Sequence, residues 1–360
     1  MNDDTRSNSD RDPRNMARET YCFVEDLDHA VSEELSLDVD FDKIVICGMG
    51  GSAIGGDILA DCAFSISDFP IKVLRFPELP SWINDRTLVI VSSYSGNTRE
   101  TISMYEQAVK RGCTTIVITS GGKLKEMATA NKNMIINIKE GLQPRNALGF
   151  TMGYMANVID TVGGPKYKAG IKKLIPVLTK LRNRLSTFDN MNVAKTVAIK
   201  IDGCIPVIYS TTGINASAMR WKTQINENSK MMAFNGTITE FNHSEIVGWS
   251  EGTITNMRCV PIVLYEENVS KMMKQMTDAS IKTLKKSGVD MQVVKIKGKT
   301  TLERSLRAIM IGDYVSLQLA YFKGVDPAEV RIINSFKQKI TQLLTRKKPK
   351  YANKKRKKQC

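Results

Sequence analysis

Short apolar runs alternate with amphipathic stretches along most of the 360 residues. In the first half, KIVICG (43–48), IKVLRF (71–76), TLVIVSS (87–93), TTIVITS (114–120) and MIINI (134–138) read as buried strands. Each is short and rich in β-branched residues. Between them, 52–64, 98–111 and 122–130 place apolar residues at helical spacing, and 17–37 puts Tyr21, Val24, Leu27, Ala30, Val31 and Leu35 on one helical face. Strands that alternate with helices predict a parallel sheet covered on both faces, because parallel neighbours need a crossover and the helices supply it. After the Gly-rich stop VGGPKYKAG, a polar helical connector runs from about 168 to 190. A second round follows, with CIPVIYS (204–210), KMMAF (230–234), CVPIVLY (259–265) and MQVVKIK (291–297) as strands, and helices near 213–228, 268–287 and 301–323.

The pattern predicts an α/β chain of two doubly wound subdomains. The first spans 17–165 with its N-terminal helix, a linker covers 166–190, and the second spans 191–325. A C-terminal helix at 326–345 and a basic tail at 346–360 close the chain, and the polar residues 1–16 are expected to be disordered.

The net charge of +15 suggests a polyanion partner until its distribution is read: nine Lys or Arg lie between Arg346 and Lys358. The body is mildly basic, which suits small phosphorylated molecules better than nucleic acid. No apolar run approaches the length of a membrane span, and the polar, acidic N-terminus is unlike a signal peptide. Seven Cys without a CxxC pair read as reduced thiols, hence a cytoplasmic protein. With two His in the chain, neither a metal nor a redox cofactor is expected.

Three stretches carry candidate chemistry. KIVICGMGGSAIGGD (43–57) is a strand, a Gly-rich turn and a helix start, where amide N–H groups and the helix dipole favour an anion. Gly48, Gly50 and Ala53 also fit a dinucleotide fingerprint, but the next strand ends in Arg75-Phe76 and offers no acid for a ribose. SSYSGNT (92–98) sets three Ser and a Thr at a strand exit. One hydroxyl would cap the following helix; four suit a monoester phosphate. In the third stretch, 221–249, Glu227 of NENSK projects from the unpacked side of a helix and His243 of EFNHSEIVGW lies between Glu240 and Glu245, so a carboxylate and an imidazole for acid–base work share one short segment.

GMGGSAIGGD, SYSGNT, PRNALG (144–149), NENSK and EFNHSEIVGW, in this order, resemble the sugar isomerase (SIS) domain proteins, and within them the bifunctional phosphoglucose/phosphomannose isomerases. The resemblance covers about 44–339. It implies two SIS subdomains, each a five-stranded parallel sheet flanked by helices, and a homodimer with active sites near the subunit contact. It further implies that Gly51, Ser52, Ser93, Ser95 and Thr98 hold a sugar 6-phosphate and that Glu227 moves a proton between carbons 2 and 1. By the same resemblance Arg145 stabilises the enediolate, and His243, reaching in from the partner subunit, assists ring opening. A Lys of the C-terminal helix shares that step, aligned at Lys337 with Lys339 as the alternative. The implied activity is interconversion of glucose 6-phosphate and mannose 6-phosphate with fructose 6-phosphate. A glucose-6-phosphate isomerase without the mannose activity and a non-catalytic SIS regulator that binds a sugar phosphate are the competing readings. A nicotinamide-dependent oxidoreductase would leave the hydroxyls of SYSGNT without a role.

Overall fold

In a computed structural model the described residues are 12–188, 190–251 and 258–345. Two parallel sheets form the frame. The first has the order β2-β1-β3-β4-β5, built from β1 (Lys43–Gly48), β2 (Ile71–Leu74), β3 (Thr87–Ser92), β4 (Thr114–Thr119) and β5 (Met134–Asn137). The second has the order β7-β6-β8-β9, from β6 (Ile205–Ser210), β7 (Phe234–Thr237), β8 (Cys259–Glu266) and β9 (Gln292–Ile296). The sheet of the second lobe therefore has four strands among the described residues, not five.

β1, β3 and β4 are buried almost end to end, as strands covered on both faces must be. One face of the first sheet packs Ile44, Ile46, Leu88 and Ile90 into a core that continues through the second lobe to Ile208, Trp221 and Ile262. The other face packs Val45, Val89 and Val117 beneath the helices Arg99–Lys110 and Gly122–Ala130. The helices Gly51–Ala63, Asn215–Asn228 and Thr301–Phe322 touch one another at the junction of the lobes, so both lobes share a continuous interior.

Three expectations shift. The 17–37 helix is two, Met16–Tyr21 and Phe23–Ser32, and Leu35 packs on the core from beyond the helical part. The connector helix Tyr167–Leu185 is no solvated spacer, because Tyr167, Ile171, Leu178 and Leu185 are buried in the common core. The edge strand of the second sheet is Phe234–Thr237 rather than 230–234, because Lys230 takes a left-handed φ of 55° and breaks the chain before it can extend.

Of the residues expected to be disordered at the start, 1–11 lie outside the described ones, as does the basic tail. Asp12 to Met16 are placed: the Asp12 carboxylate accepts the Met16 and Ala17 amides at 2.7 and 2.8 Å, and Met16 is fully buried. No helix of the described residues is long and apolar enough to cross a membrane.

Candidate active site

The strand order reverses at β1 and β3, and the loops leaving these strands diverge there, as at the ligand crevice of open α/β sheets. Both helices that begin here lack a side-chain cap. Gly51–Ala63 starts after Gly50 (φ 51°), and Arg99–Lys110 starts after Thr98, whose hydroxyl makes no cap bond. The hydroxyls are arranged across the loops instead. Ser93 Oγ donates to Thr98 Oγ1 at 3.2 Å, Ser52 Oγ accepts the Tyr94 amide at 3.0 Å, and exposed Ser95 accepts the Asn97 amide at 3.3 Å. Gly96 (φ 64°) sits against the carbonyl of Gly121 where no Cβ could fit, and Ser120 Oγ donates to the Tyr94 carbonyl at 2.6 Å. A rigid loop with hydroxyls left over from capping, beside two open helix N-termini, is suited to a phosphate.

The opposite wall comes from the helix Asn215–Asn228. Trp221 and Ile225 are fully buried, and the indole Nε1–H donates to the Ala308 carbonyl at 2.7 Å. Those anchors turn Glu227, in the last turn, the other way, with 31% of its side chain exposed. Met232 does not continue the buried stripe, because the helix has already ended; it is exposed.

Between the walls lies Arg145. Its place after Pro144 is compatible with a surface charge at a helix start, but it is 5% exposed. Its Nη1 stands 3.5 Å from Glu227 Oε2, its Nε donates to Asn228 Oδ1 at 2.7 Å, and its Nη2 donates to the Pro327 carbonyl. The Arg145 carbonyl accepts Arg220 Nη2 at 3.1 Å, and Arg220 is itself held by buried Asp313 at 2.8 Å. Burial lowers the pKa of the Arg145 guanidinium, opposed by Glu227; arginine stays protonated regardless.

The Gly-rich turn reaches this cation directly. A Cβ on Gly51 would lie 2.8 Å from Arg145 Cα and 3.0 Å from the Pro144 carbonyl oxygen. Gly50, Gly51, Arg75, Arg145, Thr223 and Glu227 accordingly line one narrow cleft between the lobes, with about 60 Å³ of free space. Gly51, Arg145 and Glu227 thus meet in the cleft from its two sides, whereas Ser52, Ser93, Ser95 and Thr98 do not line it and adjoin the Gly51 turn through the bond of Ser52 to the Tyr94 amide. The other expected residues lie elsewhere on the single chain. His243 is exposed in the turn after the helix Ile238–Phe241, its amide bonded to the Glu240 carbonyl at 3.0 Å. Lys337 and Lys339 are exposed on the helix Arg331–Thr345. None of the three lines the cleft.

The residues 39–158 match the SIS domain model, and 190–340 match the bacterial phospho-glucose isomerase C-terminal SIS domain model. A bifunctional phosphoglucose/phosphomannose isomerase of Caldicellulosiruptor bescii is 36% identical over 91% of this chain and 99% of its own length. The chain belongs to the bifunctional phosphoglucose/phosphomannose isomerase family. A second member, from Aquifex aeolicus, is 35% identical over 86% of this chain and 93% of its own. The two-lobed SIS architecture extends to structures with little sequence in common. The C-terminal domain of glucosamine-fructose-6-phosphate aminotransferase from Francisella tularensis superposes with a TM-score of 0.68 at 13% identity, over 87% of this chain and 98% of that one.

Residues that support the site without having been singled out are Asn228, Lys230, Arg220 and Asp313. The first two lie inside NENSK, so the motif contained them. Arg220 and Asp313 carry no local signal, since a charged residue on a helix is most often solvated.

Proposed function

We propose that this protein interconverts glucose 6-phosphate and mannose 6-phosphate with fructose 6-phosphate in the cytoplasm, as a homodimer. The contact between Glu227 and Arg145 at the edge of the Gly50-Gly51 turn carries the proposal. It sets a base and a fixed cation next to the wall that suits a phosphate.

The open-chain sugar is anchored by its 6-phosphate on Ser52, Ser93, Ser95, Thr98 and the Gly51 turn. The Glu227 carboxylate removes the proton from carbon 2 of the aldose. The electron pair of that bond forms the carbon 1–carbon 2 double bond, and negative charge collects on the oxygens of the enediolate, facing Arg145. Preorganised positive charge at that point lowers the barrier without reorganisation. Glu227 then returns the proton to carbon 1, while the hydroxyl on carbon 2 gives up its proton and becomes the carbonyl and the oxygen on carbon 1 takes up that proton, giving the ketose. Carbon 2 is planar in the enediolate, so glucose and mannose 6-phosphate share the intermediate and one base can serve both.

Ring opening precedes this, and His243 of the second subunit, with Lys337 or Lys339, is assigned to it. Their position outside the single-chain cleft agrees with a site completed at a subunit contact.

The test supplies fructose 6-phosphate and reads glucose 6-phosphate and mannose 6-phosphate in separate coupled assays. Wild type is expected to form both, and Glu227→Gln to lose both by roughly 10²–10⁴-fold. Absence of mannose 6-phosphate from the wild-type reaction restricts the activity to glucose 6-phosphate. A Glu227→Gln enzyme with most of its activity removes Glu227 from the role of base.

A further inference from the structure

Just past the helix that carries Glu227, Lys230 has φ 55°. Ser229 ends that helix, so Lys230 occupies the left-handed position that glycine or asparagine usually fills after a helix. A lysine backbone is strained there. What the residue supplies in exchange is its ammonium group. Lys230 Nζ donates to the carbonyls of Glu227 at 2.6 Å, Asn228 at 3.2 Å and Asp326 at 2.8 Å, and more distantly shares the Pro327 carbonyl at 3.4 Å. The Glu227 and Asn228 carbonyls are terminal carbonyls of the helix, which have no partner within it, and the Asp326 and Pro327 carbonyls belong to the turn that precedes the helix Arg331–Thr345. Arg145 grips the same turn through the Pro327 carbonyl. Lys230 is an exposed residue, but partial desolvation of its ammonium among these carbonyls, and then the charge of Arg145, push it down to about 8. It is therefore largely protonated at neutral pH, with all three N–H donors in use.

Building on the isomerase reading, we propose that Lys230 is a positioning residue that locks the Glu227 carboxylate against Arg145 by tying the helix end to the 326–327 turn. Without the ammonium group three carbonyls lose their donor, and the last helical turn and the 326–327 turn are free to part. Glu227 rides on that last turn. The phosphate-suited loops belong to the other lobe and are untouched. Loss of the tether therefore slows proton transfer without weakening the hold on substrate.

Two variants separate this from a role in folding alone. Lys230→Met keeps the alkyl stem and the backbone strain and removes the cation; kcat is expected to fall about 10²-fold with KM for fructose 6-phosphate within about threefold. Lys230→Gly also relieves the backbone, so it should melt above Lys230→Met and still lose kcat to a similar degree. A Lys230→Gly enzyme with wild-type kcat overturns the inference, and so does a rise in KM at constant kcat in both variants. Wild type and Glu227→Gln are assayed alongside. An active wild type and an inactive Glu227→Gln beside a fully active Lys230→Gly refute the tether alone, whereas an active Glu227→Gln refutes the isomerase assignment beneath it.

Discussion

Gly51→Ala tests whether the two walls of the cleft are in register. The added methyl carbon would lie 2.8 Å from Arg145 Cα, 3.0 Å from the Pro144 carbonyl oxygen and 3.2 Å from the Arg145 amide nitrogen. All three are backbone atoms, which cannot rotate away as the end of a flexible side chain could. Ordinary contact begins near 3.4 Å, so either the turn or the 144–145 segment must withdraw by about half an ångström or more. Arg145 has little room to follow, being held by Asn228, Pro327 and, through its carbonyl, Arg220. Overpacking of this kind costs about 1–3 kcal/mol of stability. Displacing a charge-stabilising group by such a distance costs up to about 10²-fold in rate. The measurement is kcat and KM for fructose 6-phosphate, with a thermal melt on the same preparation. The expected variant is folded, melts a few degrees lower and has kcat reduced between about 10-fold and 10²-fold. Unchanged kcat and melting temperature would show that the turn does not abut Arg145, and the cleft as described would be wrong.

Asp61 gives a pH signature at the lobe junction. Its Oδ2 accepts the Ala216 amide at 2.8 Å, and burial raises its carboxyl to about 6. The folded state thus holds this proton more tightly than the unfolded chain, so the stabilisation is complete below the ordinary carboxyl range near 4 and is lost as pH rises through about 6. Asp61→Asn should therefore melt above wild type at pH 8, by about 1–3 kcal/mol of stability, with the gap closing towards pH 4; a gap independent of pH would refute the assignment. The subunit assignment of His243 is open to complementation: Glu227→Gln and His243→Ala enzymes, each nearly inactive, are unfolded together and refolded. Roughly a quarter of wild-type activity should return, because half the dimers are mixed and each of these holds one intact site. No recovery would place Glu227 and His243 of one site on the same chain.

Much of the frame is legible in the chain because burial leaves a local trace. A strand covered on both faces must be apolar throughout, and all five strands of the first sheet fall where KIVICG and its successors place them, trimmed by a residue or two. The hydroxyl loop is legible for a similar reason, since SYSGNT is contiguous and follows directly on a strand. Failure came where an adjacent backbone choice overrode the pattern. KMMAF looks like a strand, yet Lys230 is left-handed and the Met231 and Ala233 amides donate back to the Ile225 carbonyl and Asn226 Oδ1, so the ladder starts only at Phe234.

The chain alone determined the α/β class, the sequence positions of the phosphate-suited hydroxyls and the presence of Glu227 in a helix, since each depends on residues close together in sequence. Only the tertiary structure decided that Arg145 is buried, that it faces Glu227, that the Gly51 turn presses on it and that His243, Lys337 and Lys339 lie away from the cleft. Those facts follow from how the two lobes share one core. Contacts between segments far apart in sequence leave no periodicity in either segment from which they could be read.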